Sequence, residues 1–307
     1  MSFRQLERFV ATAECGSISR AAEQLNIVQP ALSQSIRQLE KSVGADLFLR
    51  TRRGIELTAE GQTFLEHAYG ILSQYSKARE SVAAMHGETS GSVSIAMVSS
   101  AIDLLTVPVC NLLKERFPKI ELDLEEGLVS NIQQGLEAGR YDFAISYLPD
   151  DNKYAEAEAL IDEQLFLTTK YRGEPHSRYS DLDELRNTAL IIPKERFGAG
   201  IELGQASKNL DFELVSSKFS GAIHPTLKLV KAGIGASLLP WSAVRDGLEN
   251  SQLLVRAIRK PGLYQRVHMV HAAHKPITRA TSAVMELVRE SVRSVHQEGE
   301  WPGRLLV

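Results

Sequence analysis

Three short segments near the start of the 307-residue chain constrain its fold most strongly. Apolar residues recur in them at three- and four-residue steps, which predicts helices over 2–14, 17–25 and 29–43. Gly16 ends the first segment, and Ser17 is a favourable N-cap for the second. Short helices joined by turns of a few residues are typical of a helix–turn–helix unit.

The third predicted helix has one apolar face and one polar face. The apolar side chains step by four, three and four and are expected to be buried: Leu32, Ile36, Leu39 and Val43. The polar face carries no acidic residue and consists of Gln29, Ser33, Gln34, Arg37 and Lys41. Gln and Arg side chains can pair bidentately with base edges in the DNA major groove. An ordinary solvated face is the alternative, but the helix–turn–helix spacing favours DNA recognition.

A β-hairpin is predicted directly after this helix. Two short apolar runs in 47–58 flank Thr51-Arg52-Arg53-Gly54, with the glycine expected at the turn. Arg50, Arg52 and Arg53 would form a basic wing that contacts phosphates or enters a minor groove.

The charge distribution supports this interpretation only when the chain is divided. A formal net charge of −3 for the whole chain argues against nucleic-acid binding. Residues 1–53, however, carry eight Lys and Arg against five Asp and Glu, whereas the remainder carries 27 against 33. The sequence therefore predicts a basic head on an acidic body.

Compartment and cofactor chemistry follow from what the sequence lacks. Cys15 and Cys110 are the only cysteines, so neither a disulfide framework nor a zinc cluster is expected. There is no secretory signal pattern and no run of 18 uncharged apolar residues. We expect a cytoplasmic protein with no cofactor and no membrane partner.

The first sixty residues closely resemble the LysR-type transcriptional regulators, without a gap. The motifs that carry the resemblance are Gly16–Ala22, Gln29–Ser33, Leu39-Glu40, Gly44, Leu47-Phe48, Arg50 and Leu57–Gly61. The resemblance implies a winged helix–turn–helix domain over 1–58. One position departs from the family, which usually has Ser or Thr where Val28 stands, as a cap of the recognition helix and a phosphate ligand.

The resemblance also assigns roles to the candidate DNA-binding residues. Base-edge contacts are expected from Gln29, Pro30 and Ser33. Positioning contacts are expected from Ser17, Arg20 and Arg37, and the wing contact from Arg52 or Arg53. Gln34 on the polar face and Arg50 in the hairpin complete the candidate set.

A long linker helix followed by a glycine-containing hinge is predicted over 59–90. Its apolar residues form a heptad seam: Phe64, Ala68, Ile71, Tyr75, Ala78, Val82 and Met85. Such a stripe can lie on its own domain, but this helix joins two domains and nothing nearby in sequence covers it. A second copy of the chain is therefore favoured. The family resemblance implies the same, since the family dimerises through this helix and often forms tetramers.

Strands and helices alternate after residue 91, which predicts a mostly parallel sheet covered on both faces. The resemblance implies a two-lobed α/β effector-binding domain over 91–307, like a periplasmic binding protein. Subdomain I would comprise 91–162 plus 268–307, and subdomain II 163–267.

Ligands of open α/β sheets bind where strand ends lead into helix N-termini. Candidate effector-binding residues in such loops are Ser99, Ser100, Ala101, Val129, Ser130, Tyr147, Pro193, Phe197, His224 and Thr226. Ser130 is a candidate helix cap, and Tyr147 with Phe197 could supply an aromatic wall. Together these residues predict a neutral cradle for a small polar or anionic metabolite.

Enzyme motifs do not emerge from the sequence. His268, His271 and His274 lie on a predicted strand, where His271 takes the opposite face from the other two, so they cannot share a metal ion. No nucleophile elbow, phosphate-loop lysine or paired-carboxylate motif is present. We expect no catalytic residue, no metal and no enzymatic activity.

The sequence thus predicts a regulator that binds double-stranded promoter DNA as a homodimer or homotetramer and responds to a small-molecule effector in the inter-lobe cleft. RNA polymerase is a further candidate partner. Two alternatives are a constitutive DNA-binding protein without effector response and a cytosolic solute-binding protein.

Overall fold

A computed structural model describes residues 1–51, 54–83, 89–148, 155–173, 177–181, 184–185, 188, 190–191, 223–259, 262–272 and 277–307. Five predicted site residues lie outside these ranges, Arg52, Arg53, Met85, Pro193 and Phe197, and so does His274. The chain divides into two compact units, Met1–Glu88 with Glu137–Arg140, and Thr89–Leu136 with Tyr141–Val307.

The first unit contains four helices and a hairpin within its described residues. They are α1 (Phe3–Cys15), α2 (Ile18–Gln24), α3 (Gln29–Val43), β1 (Phe48–Thr51), β2 (Gly54–Leu57) and α4 (Ala59–Ala83). The predicted Ser17 cap is confirmed, because its side chain accepts a hydrogen bond from the Arg20 amide. The predicted stop at Gly44 is also confirmed by its left-handed φ of 82°.

The core of this unit forms around Phe9. Its ring lies 5.2 Å from that of Phe48 and 5.1 Å from that of Phe64, and Leu32 and Leu39 of α3 are fully buried beside it. The prediction that Val43 is buried is wrong, since its side chain is 39% exposed. Val43 is the last residue of α3, where the chain turns away, so the buried stripe ends one turn earlier.

The second unit contains a large sheet and five helices in its described part. The strands are β3 (Gly91–Met97), β4 (Ile120–Glu126), β5 (Phe143–Ser146), β6 (Ala155–Lys170), β7 (Tyr179–Ser180), β8 (Ser237–Pro240), β9 (Leu253–Ile258), β10 (Tyr264–Ala272) and β11 (Gly303–Leu305). The helices are α5 (Ser99–Arg116), α6 (Val129–Ala138), α7 (Ile223–Ala232), α8 (Trp241–Glu249) and α9 (Arg279–Gln297).

The prediction of a mostly parallel sheet is only partly correct. β3 pairs in parallel with β4 and with β5, as expected. The long strands β6 and β10, however, run antiparallel to each other, and β6 also pairs antiparallel with β8, β9 and β11. Strands β6 and β10 each run through both halves of the unit, and their pairings make the sheet antiparallel there. The alternation of strands and helices in the sequence does not reveal this.

Strand β6 joins two layers of this unit. Through Gln164 it pairs with β10, and from Leu165 onward it pairs with β8 and β9. The larger apolar core lies on the β3–β5 side under α5 and α9, and a smaller cluster lies around Val230 and Leu239. Among the described helices, none is both long and apolar enough to cross a membrane.

Candidate DNA-recognition face and effector site

Helix α3 presents the polar face that the sequence predicts. Gln29, Pro30, Gln34 and Arg37 are exposed and Ser33 is half-buried. The helix begins after Val28, whose backbone is extended and whose carbonyl accepts from the amides of Ala31 and Leu32. Val28 makes no side-chain capping bond, so the first-turn N–H groups of α3 have no hydroxyl acceptor at the N-cap.

Two of the predicted positioning residues are engaged within the domain. The Ser17 hydroxyl accepts from the Arg20 amide at 3.5 Å. The Arg20 guanidinium donates to the carbonyl of Cys15 at the end of α1. Arg20 therefore fixes the α1–α2 turn, and its exposed position leaves the rest of the guanidinium at the surface.

Sequence reasoning missed the residue that attaches the hairpin to α3. The Glu40 carboxylate accepts hydrogen bonds from the amides of Leu47 at 3.0 Å and Phe48 at 3.3 Å. A carboxylate four residues before a glycine helix stop is the only sequence signal for this contact. Glu40 thereby sets where the wing starts relative to the recognition face.

The hairpin forms, but its glycine has a different role from the one expected. Thr51 pairs with Gly54, so Gly54 is the first residue of β2 and not the turn centre. Its φ is 138°, and an added Cβ would lie 2.6 Å from the carbonyl oxygen of Gly16. Gly54 therefore allows the hairpin to pack against the α1–α2 turn. The side chain of Arg50, on β1, is outside the described part.

The predicted seam of α4 divides into two parts. Phe64 and Ala68 pack in the core of their own domain, so the expectation that nothing nearby covers the seam is wrong for them. Ile71, Tyr75, Ala78 and Val82 are exposed, and the Tyr75 ring stacks on Phe3 of α1 with centroids 4.2 Å apart. The C-terminal half of α4 thus presents an apolar face.

At the predicted effector site, α5 begins at Ser99 directly after β3. Val98 is its N-cap and makes no side-chain capping bond. The Ser99 hydroxyl donates to the carboxylate of Glu126, the last residue of β4. The expected neutral cradle is therefore wrong on this side, because Glu126 brings a negative charge to the positive end of the α5 dipole. The sequence offered no signal for this pairing.

The next residues of α5 are buried and do not line an open surface. Ser100 and Ala101 are fully buried. The Ser100 hydroxyl lies 2.8 Å from the Tyr147 hydroxyl and 3.3 Å from Oε1 of Glu163. The expectation of an aromatic wall at Tyr147 is wrong, since only 3% of Tyr147 is exposed.

Glu163 is the centre of this buried cluster and was not identified from the sequence. Its Oε1 accepts from Tyr147 at 2.6 Å, and its Oε2 accepts from Nε1 of Trp301 at 3.1 Å. The side chains of Ser100, Tyr147, Glu163 and Trp301, hereafter the Glu163 cluster, are all at most 3% exposed. A buried carboxylate needs such donors, because burial without them is costly.

The other predicted effector residues are dispersed. Helix α6 begins at Val129, so Ser130 lies inside its first turn and is not the cap. Val129 is half-buried against the core and Ser130 is exposed. On α7, His224 is exposed, whereas Thr226 is buried.

His268 and His271 both lie on β10 but have different neighbours. His268 pairs with Ser146 on β5 and Ala159 on β6, while Nε2 of His271 lies 3.4 Å from the Glu156 carboxylate. Burial and the Arg266 guanidinium lower the pKa of His268, and the Asp162 carboxylate opposes this shift. Within the described ranges, no three His, Cys, Asp or Glu side chains form a group that could hold a metal ion.

Two family matches together cover most of the chain. Residues 3–62 match the bacterial regulatory helix-turn-helix proteins of the lysR family, and residues 86–293 match the LysR substrate binding domain. The chain belongs to the LysR family of transcriptional regulators. Like other members of this family, it is a DNA-binding regulator with an effector-binding domain that acts on promoter DNA as an oligomer.

Individual relatives match over nearly the full chain. The nitrogen assimilation regulatory protein nac of Escherichia coli K12 is 28% identical over 98% of this chain and 99% of its own length. ClcR, an HTH-type transcriptional regulator of Pseudomonas putida, is 32% identical over 78% of this chain and 83% of its own.

Solved structures show the same fold. CbnR, a LysR family transcriptional regulator, aligns with a TM-score of 0.69 at 24% identity, covering 95% of this chain and 99% of CbnR. A full-length variant of OxyR from Pseudomonas aeruginosa aligns with a TM-score of 0.67 at 21% identity, covering 95% of each chain.

Proposed function

We propose that this protein reads promoter DNA through α3 and that a small polar metabolite at the N-terminal end of α5 controls this binding. The observation that carries the proposal is the exposed, acid-free face of Gln29, Gln34 and Arg37 on a helix held by a winged hairpin. Gln and Arg on such a face can pair with base edges, and the residues around them can contact phosphates.

The architecture of the second unit supports an effector site between two lobes. Strand β6 changes partners at Leu165, and β10 has a register shift between Val267 and His268. These two points support the proposed division into subdomain I (91–162 plus 268–307) and subdomain II (163–267). The loops that enter α5 and α6 from β3 and β4 lie at the carboxyl edge of the parallel strands, where ligands of α/β sheets bind.

The role of the protein follows from these two sites. It acts in the cytoplasm by binding, without catalysis, and the exposed face of α4 pairs with a second copy of the chain. A dimer of this kind presents two α3 helices to two DNA half-sites about one helical turn apart. The metabolite acts only through different affinities for two arrangements of the protein.

The test begins with thermal shifts of the full-length chain against a panel of small metabolites, because a specific ligand stabilises the folded state by mass action. Footprinting of the promoter DNA then follows with and without each stabilising compound. A defined protected site whose extent or bend changes with the metabolite supports the proposal.

A matched pair of variants locates the ligand. Ser99→Leu should abolish the thermal shift and the change in footprint, whereas Ser282→Leu, at an exposed position of α9, should retain both. A defined footprint that no metabolite alters would instead indicate constitutive DNA binding. Absence of any defined footprint would contradict the DNA-reading role itself.

A further inference from the structure

A cavity of about 440 Å³ lies in the second unit, away from the α5 site. It is lined by Thr169, Lys170, Arg172, Glu184, Gly233, Gly235, Leu254 and Arg256. Lys170 stands seven residues beyond Glu163 on β6, which places it about 23 Å from Glu163 at the usual strand rise. The proposed effector site and this cavity are therefore separate.

The lining is rich in positive charge. Among its described lining residues, three cationic side chains, Lys170, Arg172 and Arg256, accompany one carboxylate, that of Glu184. Lys170 and Arg172 are exposed, and neither has an ion-pair partner among the described residues. The cavity thus retains two cationic groups that are not neutralised in the part of the chain that the structure describes.

The Glu184 carboxylate accepts hydrogen bonds from two neighbouring side chains. Both terminal guanidinium nitrogens of Arg256 donate to Glu184, one at 2.9 Å, and the Ser180 hydroxyl donates to Oε2. Burial opposes ionisation, but these hydrogen bonds outweigh it and lower the pKa of Glu184. Glu184 and Arg256 therefore offset each other's charge, so Lys170 and Arg172 supply the net positive charge of the described lining.

Arg256 and Lys170 are both packed against other parts of the cavity wall. Only 16% of the Arg256 side chain is exposed, and its Nε is buried without a hydrogen-bond partner in the described structure. Gly233 has a φ of 80°, and an added Cβ would lie 3.1 Å from Cδ of Lys170. The left-handed turn at Gly233 therefore lets the Lys170 stem lie close against it.

We propose that this cavity is a second ligand site of the effector-binding domain and takes a small multivalent anion that bears phosphate or carboxylate groups. Its volume lies within the range of small-molecule sites, roughly 300–1,000 Å³. Lys170 and Arg172 supply charge-assisted hydrogen bonds, which are the strong ones for such oxyanions. The assignment goes beyond the proposed metabolite site and does not depend on it.

Calorimetric titration of the full-length chain without DNA tests the site. Inorganic pyrophosphate and citrate are the two probes, each at an ionic strength held constant with NaCl. We expect saturable binding of at least one of them. The tighter probe identifies whether phosphate or carboxylate is the preferred group.

Two double variants separate a site from general surface charge. Lys170→Ala with Arg172→Ala should weaken binding by about tenfold or more, since two charged contacts are lost. Lys114→Ala with Lys228→Ala removes the same charge from exposed positions outside the cavity and should change affinity less than about twofold. No saturable binding of either probe, or equal weakening in both double variants, overturns the proposal.

Discussion

The Tyr147 hydroxyl donates a 2.6 Å hydrogen bond to the carboxylate of Glu163, which is only 1% exposed. Tyr147 follows β5, Glu163 lies within β6, and the same carboxylate accepts from Trp301 near the C-terminus. Ser100 joins the first turn of α5 to this cluster. These hydrogen bonds therefore connect the α5 N-terminus, where we place the metabolite, with distant segments of the chain.

Tyr147→Phe removes one donor from a buried carboxylate and leaves the ring in place. We expect a loss of about 1.5–3 kcal/mol in the free energy of unfolding, the usual contribution of a hydrogen bond to a charged group. Urea unfolding followed by fluorescence measures it in a Trp241→Phe background, because Trp301 is then the only tryptophan.

The control for this loss is Tyr179→Phe. Tyr179 is 53% exposed, so removal of its hydroxyl should change the free energy of unfolding by less than about 0.5 kcal/mol. Equal unfolding curves for the two variants would show that the hydrogen bond to Glu163 contributes nothing.

The missing N-cap of α3 predicts a substitution that raises the free energy of unfolding. Val28 has an extended backbone with ψ of 138° and is 69% exposed, so a serine there can accept from a first-turn amide without a clash. Val28→Ser should stabilise the DNA-binding unit by about 0.5–2 kcal/mol. It should also tighten DNA binding, because the hydroxyl can contact a phosphate.

Val28→Ala is the matched control for the cap, since it shortens the side chain and adds no acceptor. Thermal unfolding and DNA titration of both variants distinguish the effects. A gain in stability that Val28→Ala shares would argue against hydrogen bonding as its cause.

Local features of this chain were predictable from the sequence, because their causes lie within a few residues. The Ser17 cap, the Gly44 stop and the buried Leu32 and Leu39 follow from spacing alone. The predicted burial of Val43 was nevertheless wrong, because the spacing of apolar residues along a helix does not show where the residues that cover them end.

Long-range pairings were not predictable in the same way. Ser100 and Glu163 are 63 residues apart, and Glu163 lies between Asp162 and Gln164, so its immediate neighbours give no sign of a buried carboxylate. The pairing of Ser99 with Glu126 depends likewise on two strands lying side by side. For α4, the stripe was evident, but the sequence could not tell that α1 covers Phe64 and Ala68.

The base-reading role of Gln29 predicts a sequence-dependent effect. Gln29→Ala should cost about 1–3 kcal/mol at the cognate promoter site and less on random DNA, since only the base-edge contact is lost. Gln62→Ala changes the same residue type at an exposed position of α4 and should affect both DNAs equally or not at all. Equal losses of Gln29→Ala on promoter and random DNA would remove Gln29 from the base-reading set.

The exposed face of α4 predicts how the dimer can be weakened. Val82 is 61% exposed in the single chain, and Val82→Glu would place two carboxylates in a symmetric apolar interface. We expect the dimer to dissociate at concentrations at which the unmodified protein remains assembled. Glu66→Lys alters charge on the opposite side of the same helix. The molecular mass of its assembly, measured by analytical ultracentrifugation, should equal that of the unmodified protein. Unchanged assembly of Val82→Glu would exclude this face from the interface.

His268 predicts a specific pH dependence of stability. Burial and Arg266 hold the pKa of His268 below its ordinary value of 6.5, so the folded protein binds this proton less readily than the unfolded chain does. As pH falls, the unfolded chain binds this proton at a higher pH than the folded protein does. Protonation therefore stabilises the unfolded chain more than the folded protein. The stability that neutral His268 contributes is therefore complete above pH 6.5 and is lost as pH falls through the lowered pKa.

His268→Gln removes this titration and should reduce the loss of unfolding free energy between about pH 7 and about pH 5. The exposed His224→Gln removes a histidine without the same burial and should leave the wild-type slope in place. Urea unfolding at a series of pH values provides the slopes. Nδ1 of His268 is buried without a hydrogen-bond partner within the described structure, so protonation gains no acceptor there. Protonation of His268 should therefore only lower the free energy of unfolding as pH falls. Parallel pH profiles for His268→Gln and the unmodified protein would assign the acid sensitivity to other groups.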